Sequence, residues 1–316
     1  MAVSGAAREP SAGPMSERRA EMLAGFALIA LPMFLFLTLK IGAILYAVFI
    51  SFFRWGLRGP RNVEGFDNYQ RLITDPVFHK AIANTVYYAA VWVPLTMALG
   101  LFLAVIVNQK IRGQTFFRAA FYFPAIASSA AITVLWIFLF QPSGLFNDVR
   151  AALGLNPLFE VFGIGPNHNW IGTSNTALNT IIALNVWTTS GTFMLFYLAY
   201  LQTISKDVYE AAAIDGAGPW QTFWKVTFPL LRPGHFFVAT VAAIGAFQVF
   251  DQAYIGGGVD GTPNNALTTI VLYLFRKAIA DFEFGYAAAV GVVLFIIIMA
   301  VTLIQRRLFG QTPAWN

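Results

Sequence analysis

The sequence predicts an all-α, polytopic membrane protein with about six transmembrane helices. Three observations lead to this fold class. Of the 316 residues, 58% are hydrophobic and 11% are charged, whereas soluble domains carry about 25% charged residues. The apolar residues are gathered into runs that reach the roughly 20 residues needed to cross a bilayer as a helix. Loops rich in glycine, proline or basic residues separate these runs, which indicates that the chain crosses the membrane repeatedly.

The N-terminal region combines a polar tail with the first apolar run. Residues 1–22 are rich in Ala, Gly, Ser and Pro, so we expect a disordered cytoplasmic tail. The run 23–53 is too long for the core of a signal peptide and is expected to be the first span. Lys40 interrupts this run. A lysine inside a span snorkels to the headgroups, pairs within the protein or contacts an anionic substrate, and the sequence leaves these alternatives open.

Five further apolar runs follow, at 81–108, 119–140, 177–201, 236–255 and 285–304. The loop between the second and third runs contains Lys110, Arg112 and Arg118 and no acid, which indicates a cytoplasmic loop by the positive-inside rule. Segments 54–80 and 141–176 are then external. Six spans place both termini on one side, so residues 23–309 form one membrane domain and 310–316 a second cytoplasmic tail.

The stretch 205–233, between the fourth and fifth runs, is too charged to lie in hydrocarbon. Its first part, 207–214, favours a helix because Ala211, Ala212 and Ala213 are the best helix formers. Gly216 and the pair Gly218-Pro219 then break that helix. A second amphipathic piece follows, with aromatic residues three and four positions apart at Trp220, Phe223, Trp224 and Phe228. We predict a helix, a glycine turn and a second helix at one face of the membrane.

This stretch resembles the EAA loop of ABC-importer permeases, and its flanks resemble the carbohydrate (maltose-type, binding-protein-dependent) branch. The matching residues are Glu210-Ala211-Ala212, Asp215-Gly216-Ala217 and Pro229-Leu230. The resemblance implies a type I ABC importer permease of the bacterial cell (inner) membrane, in which this loop docks in a cleft of an ATPase subunit. It also implies that Glu210 is the polar anchor and Gly216 the turn that shapes the docked helix. The similarity extends over most of 23–309, although residues 259–262 lengthen a glycine-rich loop.

No catalytic site is predicted. The chain has no cysteine, no phosphate-binding Gly-x-x-x-x-Gly-Lys-Ser/Thr loop and no His-Glu-x-x-His zinc motif. The isolated histidines His79, His168 and His235 are expected to be solvated. We therefore expect no metal, no cofactor and no enzymatic activity in this chain, so the energy for transport comes from a partner ATPase.

Polar residues inside the spans indicate a path for substrate, because they either pair within the protein or line a wet cavity. The candidates are Thr188, Thr189, Thr192, Gly245, Gln248 and Asp251. Aligned on the EAA loop, the three threonines lie where similar sugar permeases line their central site. Hydroxyls and amides suit a polyol because each donates and accepts hydrogen bonds. The alternative is that the threonines bond to carbonyls of their own helix.

The resemblance implies several partners. These are a second related permease, two ATPase subunits, an extracytoplasmic substrate-binding protein and a sugar-like substrate. An anionic polyol such as a glycerol phosphate derivative remains an alternative cargo, for which Lys40 would matter. A proton-coupled secondary transporter is a further alternative, and Lys40 and Asp251 are its only ionisable candidates within the spans. A membrane-embedded enzyme would need a clustered nucleophile or metal site.

Overall fold

The computed structural model describes residues 14–109 and 112–309. Within these ranges the chain is helical apart from one short β-hairpin, so the predicted all-α class is confirmed and the hairpin is an addition to it. The helices are α1 (Pro14–Phe36), α2 (Ala43–Ile50), α3 (Asp67–Thr74), α4 (Pro76–Asn108), α5 (Gln114–Ile126), α6 (Ser129–Leu139), α7 (Leu145–Ala152), α8 (Asn156–Glu160), α9 (Ser174–Leu201), α10 (Lys206–Ile214), α11 (Pro219–Thr222), α12 (Phe228–Leu230), α13 (Arg232–Phe247), α14 (Asp251–Gly257), α15 (Ile270–Phe275) and α16 (Phe284–Phe309). The π-helical segments Leu37–Gly42, Phe223–Thr227 and Arg276–Ala280 continue α1, α11 and α15.

Five helical stretches of the described chain are long and apolar enough to cross a membrane. They are Arg18–Ile50, Pro76–Asn108, Ser174–Leu201, Arg232–Gly257 and Phe284–Leu308. A sixth crossing is obtained if α5 and α6 count as one span, although the two helices meet at 91°. These stretches coincide with the predicted runs.

The third predicted span, 119–140, is not one straight helix. Helix α5 ends where Ala127 takes an extended conformation (φ −70°, ψ 152°), and α6 begins after Ser128. Pro124 lies in the last turn of α5, where its missing N–H weakens the helix. The apolar run 119–140 therefore contains two helices and a bend, which a run of apolar residues does not reveal.

The first span makes few contacts with the rest of the chain. None of the residues in its most apolar window is buried, and it packs on the bundle mainly where α2 meets α16. Helix α1 begins at Pro14, inside the tail expected to be disordered, because residues 15–22 include the good helix formers Met, Glu, Arg and Ala. Residues 1–13 and the predicted tail 310–316 lie outside the described residues.

The core of the bundle is the pair of long helices α4 and α9. Their closest approach uses Gly100, where a Cβ atom would lie 2.8 Å from the Cβ of Phe193. Small residues allow such approach in membranes, where helices associate through packing rather than through the hydrophobic effect. Helix α13 packs on α4, and α16 packs on α13. Tyr88 and Met194 are among the buried residues at the centre.

A β-hairpin that the sequence analysis did not predict follows the first span. Strands β1 (Phe53–Gly56) and β2 (Gly59–Val63) pair in antiparallel fashion. The side-chain amide of Asn68, on α3, donates to the carbonyls of Ser51 (2.9 Å) and Phe53 (3.1 Å). Gly285 approaches the Phe53 carbonyl so closely that a Cβ atom there would collide with it. The hairpin is thus fastened to α3 and to the start of α16.

Candidate functional site

The loop 205–233 folds into the predicted helix, turn and helix. Ser205 caps α10, since its hydroxyl accepts a hydrogen bond from the amide of Asp207 at 3.2 Å. Asp207 in the first turn also favours the helix through its interaction with the helix dipole. Helix α10 then covers the alanines and ends at Asp215.

The turn after α10 is a Schellman motif. The amide of Ala217 donates to the Ala212 carbonyl at 2.9 Å, and the amide of Gly216 donates to the Ala213 carbonyl at 3.1 Å. Gly216 has φ +77°, a left-handed conformation that glycine adopts without steric cost. Pro219 then opens α11 as an early helical residue. The spacing of Gly216 and Pro219 therefore fixes the direction in which the chain leaves α10.

The predicted coupling residues differ in exposure. Glu210, Ala211, Asp215 and Gly216 are exposed, Ala217 is half-buried, and Ala212 is buried at 8% exposure. The loop thus presents two carboxylates and a glycine turn outward while Ala212 faces the protein.

The second half of the loop is joined to the bundle by aromatic contacts. The ring of Phe228 lies 5.2 Å from that of Trp224 and 4.5 Å from that of His235, measured between centroids. One ring nitrogen of His235, Nδ1, lies 3.0 Å from the Tyr197 hydroxyl on α9, and the other, Nε2, lies 3.2 Å from the Phe228 carbonyl. His235 is buried, so the expectation that it is solvated was wrong. It instead connects the loop, α13 and α9.

A polar cavity of about 170 Å³ lies among α5, α6, α9 and α14. Its lining residues are Pro124, Ala125, Ala127, Ser129, Ile132, Thr133, Leu184, Asn185, Thr188, Thr189, Thr192 and Gln252. The structure therefore brings together the three threonines that the sequence analysis selected. The hydroxyls of Thr188 (3.3 Å) and Thr189 donate to the Asn185 carbonyl of their own helix. Each still offers a hydroxyl oxygen that accepts hydrogen bonds.

The other selected path residues do not line this cavity. Gly245, Gln248 and Asp251 are exposed on the isolated chain. Gly245 faces the ring of Trp92, which a Cβ atom would meet at 3.9 Å. Lys40 is also exposed and does not line the cavity.

The cavity contains polar residues that the sequence analysis did not select. Gln252 donates from Nε2 to the hydroxyl of Ser129 at 2.9 Å, which links α14 to α6. Asn185 is buried and donates to the Tyr88 hydroxyl at 2.8 Å. Their polarity within apolar runs was the available signal. The position of Gln252 depends on a break between α13 and α14 that the sequence did not indicate.

Comparison with known proteins identifies the family. A family model described as "Binding-protein-dependent transport system inner membrane component" matches residues 96–311. The arabinooligosaccharides transport system permease protein AraP of Bacillus subtilis (strain 168) is 32% identical over 268 residues, covering 84% of this chain and 82% of AraP. The multiple sugar-binding transport system permease protein MsmF of Streptococcus mutans serotype c is 34% identical over 287 residues, covering 90% and 94%.

Solved structures share the fold. One chain in the crystal structure of a bacterial alginate ABC transporter, in complex with alginate pentasaccharide-bound periplasmic protein, superposes with a TM-score of 0.75 at 19% identity. The match covers 92% of the present chain and 94% of that chain. The multi-pass bundle and the family match agree with the resemblance carried by the 205–233 loop. The chain therefore belongs to the family of binding-protein-dependent transport system inner membrane components and is an ABC transporter permease.

Proposed function

We propose that this permease carries a sugar or sugar-like polyol into the cell, with ATP hydrolysed by partner subunits. The observation that carries the proposal is the cavity among α5, α6, α9 and α14, whose polar lining consists of hydroxyl and amide groups. A polyol offers the same mixture of donors and acceptors. The names of MsmF and AraP, which refer to multiple sugars and to arabinooligosaccharides, support this substrate class.

A neutral cargo fits this cavity better than the anionic alternative. The residues that line it carry no charge. An anion such as a glycerol phosphate derivative would require a cationic partner or a strong set of donors in a membrane interior. Lys40 is the span residue that could act as this cationic partner, but it lies on the exposed first span and not at the cavity.

The loop 205–233 is proposed to dock on an ATPase subunit. Glu210 and Asp215 supply exposed carboxylates, and the small residues Ala211 and Ala217 allow close approach of another chain. The Schellman turn at Gly216 holds α10 and α11 at a fixed angle, which suits a rigid docking element. In this proposal the loop faces the cytoplasm, as do both termini, in a bacterial inner membrane.

The complete transporter would contain this chain, a second related permease and two ATPase subunits. An extracytoplasmic substrate-binding protein would deliver the cargo. The family description and the periplasmic protein in complex with the alginate transporter support the last partner. Closure of the ATPase pair would move the loop, and the contacts of His235 with Phe228 and Tyr197 would pass that movement to α13 and α9.

ATP-dependent uptake in proteoliposomes tests the proposal. The chain is co-expressed with candidate ATPase and permease partners, and labelled arabinooligosaccharides and other sugars are offered with a candidate binding protein. We expect uptake only with internal ATP, and we expect Glu210→Ala to abolish both uptake and copurification of the ATPase. Asp148→Asn, which changes an exposed carboxylate on α7, is the matched control and should leave both unchanged. Uptake by the chain without any ATPase would refute the proposal.

The ion-coupled alternative makes a different prediction in the same vesicles. A proton-coupled carrier would accumulate sugar when a pH gradient is imposed without ATP. Lys40 and Asp251 are both exposed on the isolated chain and neither lines the polar cavity. We therefore expect no uptake under the pH gradient, either in the wild type or in Asp251→Asn.

A further inference from the structure

A second cavity lies at the membrane boundary that carries the 205–233 loop. It measures about 730 Å³ and is lined by Pro94, Met97, Ala98, Leu101, Tyr197, Phe228, Pro229, Arg232, His235 and Leu308. Arg232 is the first residue of α13, and Leu308 lies in the last turn of α16. These chain positions place the opening of the cavity at the end of the spans rather than at their centre.

The wall of this cavity is apolar along α4. Pro94, Met97, Ala98 and Leu101 lie on this wall. Seven residues separate Pro94 from Leu101, a rise of about 10 Å along an α-helix. Leu308, Phe228 and Pro229 add apolar surface from the opposite side. A surface of this length and polarity suits a hydrocarbon chain and offers a sugar few hydrogen-bonding partners.

The polar groups inside the cavity are already engaged with one another. Nδ1 of His235 lies 3.0 Å from the Tyr197 hydroxyl, and its Nε2 lies 3.2 Å from the Phe228 carbonyl. Arg232 is the charged residue of the lining. It is exposed, as is Arg307, which precedes the lining residue Leu308 in the last turn of α16. The cavity therefore combines an apolar interior with a cationic edge.

We propose that this cavity binds one anionic glycerophospholipid, with an acyl chain along the wall formed by α4 and the phosphate beside Arg232. Basic pockets between transmembrane helices at the cytoplasmic side bind anionic headgroups in this way. The lipid would also contact Phe228 and Pro229, which belong to the 205–233 loop, so the surrounding bilayer would stabilise the position of that loop. The inference does not depend on which solute is transported.

Lipid retention measured by native mass spectrometry tests this site. The full chain, purified in mild detergent with its co-expressed subunits, is mixed with phosphatidylglycerol or phosphatidylcholine of identical acyl chains. We expect tighter retention of phosphatidylglycerol, and an affinity for it that falls about fivefold in Arg232→Gln, since one basic residue near a membrane contributes about that factor. Arg232→Lys should restore retention. Lys225→Gln, which removes a basic residue of the same loop outside the cavity, should have no effect.

Two further measurements distinguish the contribution of the headgroup to binding from that of the acyl chain. Ala98→Trp fills the apolar wall and should reduce retention of both lipids. Inorganic phosphate added in excess should not displace the lipid, because phosphate has no acyl chain to pack against that wall. Equal retention of the two lipids, unchanged binding in Arg232→Gln or displacement by inorganic phosphate would overturn the proposal.

A protein helix is the competing occupant of the same surface. Because the chain contains no cysteine, Ala98→Cys introduces a single reactive thiol on the cavity wall. We expect added phosphatidylglycerol to slow the alkylation of this thiol by iodoacetamide, a reagent small enough to leave the wall open. Efficient crosslinking of the thiol to another subunit would show that protein covers the cavity, and the lipid proposal would then be wrong.

Discussion

The hydroxyl of Tyr286 donates a hydrogen bond of 2.7 Å to Oδ2 of Asp75, although 211 positions separate the two residues in the chain. Tyr273 donates to the same oxygen, while Oδ1 accepts from the amides of Val77 (2.9 Å) and Phe78 (3.2 Å). One carboxylate therefore joins the start of α4 to α15 and α16. Burial alone would raise the pKa of Asp75, but the hydrogen bonds from the tyrosines and the amides more than offset it and lower the pKa.

Asp75→Asn should destabilise the protein without removing the helix cap. Asparagine caps helices as well as aspartate does, but its NH2 group then faces the hydroxyls of Tyr273 and Tyr286 in place of the carboxylate oxygen that accepts from both. Hydrogen bonds to a charged group contribute about 1.5–3 kcal/mol, and we expect a loss of unfolding free energy in that range. Denaturation in detergent at neutral pH measures it.

The same substitution should remove a pH dependence. A carboxyl whose pKa is lowered by folding stabilises the protein fully above its unfolded value, about 3.9, and this contribution is lost as pH falls through the folded value. The difference in stability between wild type and Asp75→Asn should therefore begin to shrink as pH falls below about 4. Glu64→Gln is the control, because Glu64 pairs at 3.5 Å with Arg54, whose side chain is 67% exposed, and exposed pairs contribute about 0–1 kcal/mol. An equal effect of both substitutions would contradict the assignment.

The destabilisation caused by a substitution at Gly216 should depend on how well the new residue adopts a left-handed backbone conformation, and not on the size of its side chain. A Cβ atom there meets no atom within 4 Å, so the cost comes from φ +77° alone. A residue that avoids the left-handed region loses about 1–2 kcal/mol, and we expect Gly216→Val to open the turn more than Gly216→Asn. Hydrogen exchange of the amides at 216 and 217 reports this opening. Gly218→Ala has regular φ and open space and should behave as wild type.

Gly191→Ala should separate α5 from α9. A Cβ atom at Gly191 would collide with the Phe121 carbonyl and lie 2.8 Å from Cα of Tyr122. Forcing a methyl group into such a contact costs about 1–3 kcal/mol, which thermal denaturation in detergent would detect. Gly25→Ala, where nothing lies within 4 Å, should leave stability unchanged or slightly raised. An unchanged denaturation temperature in Gly191→Ala would show that the two helices are not in contact.

Thr192→Val should weaken transport while preserving the fold. Valine keeps the shape of threonine but removes the hydroxyl that faces the polar cavity. We expect a higher KM for sugar uptake with ATPase activity intact. Thr240→Val is the matched control, since the Thr240 hydroxyl donates to its own helix at the Phe236 carbonyl (2.8 Å) and does not line the cavity. Equal effects of both variants would place the path elsewhere.

Composition and local chemistry were sufficient to predict the spans and the 205–233 loop. Apolar runs report membrane crossing directly, because unsatisfied backbone groups restrict lipid-exposed segments to helices. The turn at Gly216 was predictable because left-handed backbone selects glycine. The threonines on α9 were selected because polar residues are rare in spans, and the structure brings them together.

Features that depend on long-range packing were not predictable. The hairpin of β1 and β2 is held by Asn68 and by the start of α16, contacts that no local pattern encodes. Gln248 was among the selected path residues, whereas Gln252 was not. Helix α13 ends at Phe247 and α14 begins at Asp251, so Gln252 turns toward the cavity and Gln248 does not.

The 91° bend between α5 and α6 has an electrostatic consequence. The bend separates the last carbonyls of α5 from the first amides of α6, and these groups have no hydrogen-bond partner within their own helices. Ala127 and Ser129 line the polar cavity, where water or a hydroxyl-bearing solute can hydrogen-bond to these groups. The bend therefore adds backbone donors and acceptors, with their partial charges, to the hydroxyl and amide groups that the side chains supply.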